Sequence, residues 1–450
     1  MVTMNRALLA AVLATGWLAG TQAQEPKRDP SVLAERVAAV RPRIDSAYEG
    51  LTELYKHFHT HPELSLQETL TADRLAKEMT EIGFDVTTKV GGHGLVCIYK
   101  NGSGPTVLVR TDMDALPVIE RTGVPYASKV RVRDKNGNEV GVMHACGHDM
   151  HMTCWVGTAK TLVALKDRWK GTLIFLGQPA EEIGTGARMM LDDGLFKRFP
   201  RPDYCVALHC DARLPAGQIT YSEGLAMANV DSVDVLVKGR GGHGASPHTT
   251  IDPIVLAAKM VLDFQTIVSR EMNPTDPVVV TVGSIHGGTK HNIIPNEVKM
   301  QLTVRTTRDD VRKNVLDAIK RIARATAESA RAPEPEVTVN LSEFTPALVN
   351  DRKLARRLVG VFEEVLGKGK VNERPVIMGG EDFSRYGRDG IPIFMYFLGT
   401  IDQKRWDESL KPGATPLPSM HADSYWPAVE PSIRNGVLTM SLAVLELMGK

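Results

Sequence analysis

At four places in the chain, metal-capable or acid–base side chains stand where a short apolar run ends or a helical stretch begins. Thr106-Val-Leu-Val-Arg110 leads into Asp112-Met-Asp114, and Thr172-Leu-Ile-Phe-Leu176 leads into Gln178-Pro-Ala-Glu181-Glu182. Tyr204-Cys-Val-Ala-Leu208 runs straight into His209, and His144-Ala-Cys146-Gly-His148-Asp149 precedes a helix-like stretch at Met152–Leu165. In open parallel sheets functional groups gather at the carboxyl ends of strands. Four such coincidences therefore point to one site.

Each cluster has a chemical reading. A metal hydrolase needs one carboxylate on the ion and a second free to take a proton from water, and the adjacent Glu181 and Glu182 offer both. Cys146 and His148 offer a thiolate and an imidazole two residues apart, good ligands for zinc-like ions. A cysteine nucleophile with His144 or His148 as its base is the competing reading, and it leaves the acid pair without a role. Cys97, Cys154, Cys205 and Cys210 read as buried small residues. His57, His59 and His61 sit at a helix end before Pro62, where surface or capping roles are expected. His243 lies in Gly239-Arg-Gly-Gly-His-Gly-Ala245, a loop able to bring an imidazole close to a ligand, and His248 shares that loop. His421 stands alone. Arg305 is either a strand-end charge or a carboxylate clamp. Lys129–Gly141 reads as a hairpin turning at Asn136-Gly137, with solvated cations.

The elements that must position these residues fall into two patterns. The uninterrupted apolar runs suit strands buried on both faces of a parallel sheet, and with the helical stretches between them they make an α/β domain. From Val230 the pattern changes. An alternating strand at Val230–Val237 is followed by a helix at Asp252–Val268 and strands at Val278–Ile285 and Val298–Thr306. A helix at Asp309–Ala330 and a strand at Glu336–Leu341 complete the order β-α-β-β-α-β, a ferredoxin-like unit. Leu354–Leu366 (helix), Pro392–Leu398 (strand) and Val437–Leu447 (helix) then return to the first domain. The expected organisation is a catalytic domain over 40–225 and 343–450, interrupted by an inserted module over 226–342.

The 450 residues, 43% hydrophobic and 24% charged, are those of an ordinary globular protein. That excludes collagen-like, disordered and multispanning membrane classes. A net charge of +1 gives no global field for nucleic acid or anionic lipid, and five cysteines make no disulfide scaffold. Residues 1–23 read as a secretory signal, with Arg6 at the positive end, an apolar run Ala7–Ala19 and small residues before a cut after Ala23. The run is too short to span a bilayer stably. The expectation is an exported protein, periplasmic or secreted, with no stable membrane span after cleavage.

Taken together, these segments resemble the co-catalytic metallopeptidases of the aminoacylase and carboxypeptidase-G type, closest to their amidohydrolase branch of hippurate and indoleacetyl-amino-acid hydrolases. The matching segments are His61-Pro-Glu-Leu-Ser65, Arg110-Thr-Asp-Met-Asp-Ala-Leu-Pro117, Met143-His-Ala-Cys-Gly-His-Asp149 and Gln178-Pro-Ala-Glu-Glu182. Ala207-Leu-His209, Gly241-Gly-His243, Asn292-Ile-Ile-Pro295 and Gly379-Gly-Glu-Asp-Phe383 follow in the family's order. The resemblance implies an α/β metallopeptidase catalytic domain with a mostly parallel sheet and an inserted ferredoxin-like lid and dimerisation domain. It implies two divalent metal ions per subunit, with zinc favoured by ligand softness and manganese or cobalt able to serve. Cys146, His148, Glu182, His209 and His421 resemble the metal ligands. Glu181 resembles the general base, and His243 the histidine that reaches the partner subunit's site in a homodimer. Asn292 and Arg305 resemble substrate-binding positions. Asp112 and Asp114 are placed behind the ligands, where a carboxylate orients them. The implied reaction is hydrolysis of N-acyl amino acids by water activated between the ions. A dipeptidase or carboxypeptidase, or an exported solute-binding protein without turnover, are the alternatives. Two departures stand out: Ala422-Asp423-Ser424 after His421, where a small residue and proline are expected, and a long hairpin at Val130–Glu139.

Overall fold

The computed structural model describes residues 29–133 and 137–449, so the leader at 1–23 and the turn residues 134–136 lie outside the described residues. An eight-stranded sheet forms the larger part. Its order is Asp85–Val90, Gly94–Asn101, Gly171–Gln178, Thr106–Asp112, Tyr204–Pro215, Ile393–Ile401, Ile219–Tyr221 and Val371–Glu373. The central four strands, from Gly171–Gln178 to Ile393–Ile401, are parallel. The first two strands join antiparallel.

The uninterrupted apolar runs are explained by burial on both faces. Successive side chains of a strand point to opposite sides. Val107, Val109, Leu173, Phe175, Val206 and Leu208 enter one core, while Leu108, Ile174, Leu176, Cys205 and Ala207 enter the other. The first core is closed by helices Pro30–Thr60, Thr69–Ile82, His148–Ala164, Arg352–Leu366 and Val429–Met448. The second is closed by shorter pieces, among them Gly186–Asp192 and the Phe383 and Tyr386 side chains.

Residues 229–339 build a separate four-stranded antiparallel sheet in the order Val278–Gly287, Glu297–Thr306, Asn229–Lys238, Glu336–Val339. Alternate residues of Asn229–Lys238 are buried without exception along its length. Val233, Val235 and Val237 meet Leu256, Met260 and Phe264 of helix Pro253–Thr266, and Val315 and Ile319 of helix Asp309–Ser329. This is the ferredoxin-like unit expected from the alternation, and it serves as a lid over the larger sheet.

Element ends differ from expectation in ways that matter for the site. The helix placed from Met152 begins at His148, because Gly147 takes a left-handed conformation (φ +78°) and turns the chain directly into it. Strands Arg131–Arg133 and Glu139–Gly141 pair antiparallel as the two arms of the expected hairpin. Among the described residues, no helix is long and apolar enough to cross a membrane.

Candidate metal centre

The four clusters converge. Cys146 lies two residues before His148, which opens the first turn of its helix, and burial with Glu182, Glu181 and Asp112 nearby raises its thiol well above the usual range. Glu181 and Glu182 follow strand Gly171–Gln178 through a turn in which Ala180 takes φ +51° and donates its N–H to Glu68 at 2.7 Å. Gly186 closes that turn so tightly that a Cβ there would lie 1.6 Å from the Pro179 carbonyl oxygen. His209 lies on strand Tyr204–Pro215, level with Phe397 of the neighbouring strand. His421 arrives from a distant loop, with φ +67° and its N–H bonded to the Ala145 carbonyl at 2.9 Å. The loop before the long hairpin braces it, since the Arg121 N–H donates to the Asp423 carbonyl at 2.7 Å.

The donor atoms meet at short range. Cys146 Sγ is 3.5 Å from His209 Nε2 and 3.3 Å from His421 Nε2. His421 Nε2 is 3.6 Å from one oxygen of Glu182, and His148 Nε2 is 3.8 Å from the other. Glu181 reaches within 3.9 Å of His148 Nε2. Cys146 belongs both to a set with His148 and His209 and to a set with Glu182 and His421.

Orientation comes from behind. His148 Nδ1 donates to the Asp114 carbonyl and His209 Nδ1 to the Cys210 carbonyl, both at 2.7 Å. Each ring therefore turns the lone pair of Nε2 inward. Asp114 also accepts from Ser65 at 2.6 Å and from the Glu182 N–H at 3.0 Å. Asp112 bonds Arg110 and His151, each at 2.7 Å.

The electrostatics call for cations. Burial alone would lower the His148 imidazole, yet Asp112, Asp114 and Glu182 carry it up to about 10. Burial, then Glu381, Glu182 and Asp382, pushes Glu181 well above the usual carboxylate range, and burial with Asp114 and Asp112 lifts Glu182 to about 7. His148 Nε2 and Glu182 Oε1 are buried without a hydrogen-bond partner. A thiol, three imidazoles and a carboxylate around these unpaired atoms fit divalent cations of the zinc type.

These groups form one wall of a cavity of about 840 Å³ whose opposite side is the lid. Arg305 lines it, with its Nε bonded to Thr303 at 3.0 Å and no carboxylate paired to it among the described residues. His243 and Asn292 do not line it. They sit together on an exposed ribbon where Gly242–His243 pairs with Ile293–Ile294, and the Gly244 N–H bonds the Asn292 carbonyl. His243 Nδ1 accepts from the Ala245 N–H at 3.0 Å, which leaves its proton on Nε2 facing outward.

One expectation is corrected. His59 is not at the surface: it is buried, 2.6 Å from Asp149 and 3.0 Å from Glu120. Burial lowers its pKa, but these two acids outweigh that effect and raise it to about 9. The reason is the helix face Tyr55, Phe58 and His59, which packs inward. His57 is half-buried, and exposed His61 caps the helix, as expected of that segment.

Sequence reasoning missed two residues. His151 donates to Asp112 and accepts from the Cys210 N–H at 2.7 Å, so both ring nitrogens are engaged and burial holds it neutral, with a pKa of about 4. Its place one helical turn after His148 is the signal that was available. Arg110 is buried among Asp112, Glu381 and Asp382. A cation closing an apolar strand needs buried acids, and Glu381-Asp382 was the pair to look for.

Residues 108–414 match peptidase family M20/M25/M40. The chain belongs to this family. A probable hydrolase of Synechocystis is 34% identical over 87% of this chain and 94% of its own length. The hippurate hydrolase of Campylobacter jejuni is 35% identical over 74% of this chain and 84% of its own. Among solved structures, a dinuclear metal-binding peptidase of the M20 family from Bacillus subtilis superposes with a TM-score of 0.71 at 29% identity, covering 90% of this chain and 99% of that one. The M20/M25/M40 match takes in Cys146, His148, both glutamates, His209 and the whole lid, while His421 lies beyond its end.

Proposed function

We propose that this protein is a metal-dependent amidohydrolase that cleaves the amide bond of N-acyl amino acids, N-aroyl ones included. The observation that carries this reading is the cage of Cys146, His148, Glu182, His209 and His421, with Glu181 at its edge, opening into a cavity lined by Arg305, which has no carboxylate partner among the described residues. The hippurate hydrolase relative supports the substrate class. Two divalent ions held by that cage, zinc on the softness of the donors or else manganese or cobalt, supply Lewis-acid polarisation and make water acidic. Glu181 takes the proton of the attacking water and returns it to the leaving amine. Arg305 holds the substrate carboxylate as a charge-assisted pair. Met227, Ile377, Phe397 and Met420 offer an apolar wall to the acyl or aroyl group.

His243 and Asn292 enter this reading from a second copy of the chain. The lid supports a homodimer, since strand Val278–Gly287 is a free sheet edge and Leu262 on the adjoining helix is 70% exposed. His243 would then donate its Nε2 proton to the carbonyl oxygen in the partner's site. Sedimentation that returns a monomer would remove both residues from the site. Export, with cleavage after Ala23, is proposed on the leader's sequence alone.

The test is turnover of a panel of N-acyl amino acids with N-benzoylglycine included. The expected result is hydrolysis that a chelator abolishes and added zinc, manganese or cobalt restores. Activity that survives chelation and dies on thiol alkylation would make Cys146 a nucleophile. Tight binding of the panel without turnover by metal-loaded protein would leave a solute-binding protein.

A further inference from the structure

The cavity wall beside His209 holds a pair of arginines besides Arg305, one more cationic position than a simple N-acyl amino acid uses. Asp211, two residues past His209, is shared by two guanidiniums. Arg213 reaches it with its N–H at 2.8 Å and its side chain at 3.1 Å, and Arg374 reaches it with Nη1 at 2.9 Å. One carboxylate cannot neutralise two arginines, and among the described residues neither has another acidic partner. These three side chains therefore keep a surplus of one positive charge between them.

That surplus sits close to the chemistry. The Arg374 guanidinium lies 4.1 Å from the centre of the Phe397 ring, and Phe397 is level with His209, with ring centres 5.9 Å apart. The stacking fixes the planar fork with part of its donor set unspent, since Nη1 alone goes to Asp211. Arg305 forms a second, separate cationic station on the lid side of the same cavity. Glu343, exposed at the lid's edge, pairs with none of the three arginines.

We infer that the preferred substrates carry two carboxylates, one for Arg305 and one for the Arg213–Arg374 pair. This rests on the amidohydrolase reading and deepens it. The second carboxylate comes either from an acidic amino acid or from a dicarboxylic acyl group. With a dicarboxylic acyl group the scissile amide lies between the two carboxylates, and with an acidic amino acid both lie on its amine side; either way the substrate is anchored at two points while it reacts.

The experiment compares kcat/KM for charged and neutral isosteres on the metal-loaded dimer or monomer as purified. One pair is N-benzoylglutamate against N-benzoylglutamine, both enantiomers of each. The other is N-succinylglycine against its terminal amide. The charged member is expected to win by about 10-fold or more in at least one pair, and the pair in which it does identifies the source of the carboxylate. Arg213→Gln and Arg374→Gln should each collapse that ratio, because removing either arginine leaves a neutral pair with Asp211. Arg213 is largely exposed, so its variant keeps the test alive if Arg374→Gln fails to fold. A ratio under about 10 in both pairs, or one that Arg213→Gln leaves unchanged, overturns the inference. If N-benzoylglycine is nevertheless turned over, the inference alone falls. If metal-loaded protein turns over nothing in the panel, it falls together with the function it rests on.

Discussion

Glu181→Gln should lower kcat on N-benzoylglycine by about 10²–10⁴-fold, the range expected for a positioned general base, while the protein keeps its complement of divalent metal. Glutamine preserves the shape of the side chain and removes only its basicity. The turn that aims it is held from outside the side chain, by Glu68 on the Ala180 N–H and by Asp114 on the Glu182 N–H. The ligand atoms proposed for the ions come from other residues, so the cage should fill as before. Nor should the fold suffer. Burial and the neighbouring acids Glu381, Glu182 and Asp382 already oppose a charge at this position, and a neutral amide relieves that repulsion. Glu182→Gln is the necessary contrast. It removes a carboxylate that lies between His148 and His421, so metal content and activity should fall together. Metal analysis beside single-turnover kinetics separates the two residues. Full activity in Glu181→Gln would remove it as the base, and loss of metal in that variant would make it a ligand instead.

Several of these positions could be read from sequence because the physics acting on them is local. The strand runs Thr106–Arg110, Thr172–Leu176 and Tyr204–Leu208 are apolar at every step because both faces of each strand are buried, and their ends announce the site. The lid was legible for the opposite reason: one wet face leaves the alternation visible along Asn229–Lys238. His421 carries no such signal. It reaches the cage through a loop whose conformation is set by a backbone bond to Ala145 and by the contact of Arg121 with Asp423, and nothing in its neighbourhood has a period. His59 misled for a related reason. Its place near a helix end and between two other histidines suggests solvent, while its depth is decided by Asp149 and Glu120 from distant segments. The start of the helix at His148 hinged on the left-handed Gly147, a residue whose conformation its sequence context leaves open. His243 and Asn292 share a ribbon that cross-strand pairing alone creates, and where that ribbon faces is a property of assembly rather than of one chain.

Arg110→Met should destabilise the protein by about 3–5 kcal/mol in urea denaturation, because it breaks a buried ion cluster from one side. Arg110 is 2% exposed, and its guanidinium donates to Asp112 at 2.7 Å, Glu381 at 2.9 Å, Asp382 at 3.3 Å and Gln178 at 3.1 Å. Methionine fills much of the volume and satisfies none of those oxygens. The cost should depend on pH. Burial already raises Asp382 to about 7 with Arg110 pulling it down, so without the arginine its folded pKa rises further above the ordinary value of 3.8. A carboxyl whose folded pKa exceeds its unfolded one binds more protons in the native state, and stability then falls as pH rises. The deficit of Arg110→Met should accordingly be larger at pH 8 than at pH 6. Adding Asp382→Asn should restore part of the loss, since it deletes one of the stranded charges while keeping the Gln178 neighbour. A deficit below about 1 kcal/mol, or one that shrinks as pH rises, would mean that the cluster is not what holds strand Thr106–Asp112 against the Glu381–Asp382 turn. The catalytic consequence follows from geometry. Asp112 bonds both Arg110 and His151 and lies 3.7 Å from His148 Nε2, so Arg110 holds an acid that stands against the proposed cage.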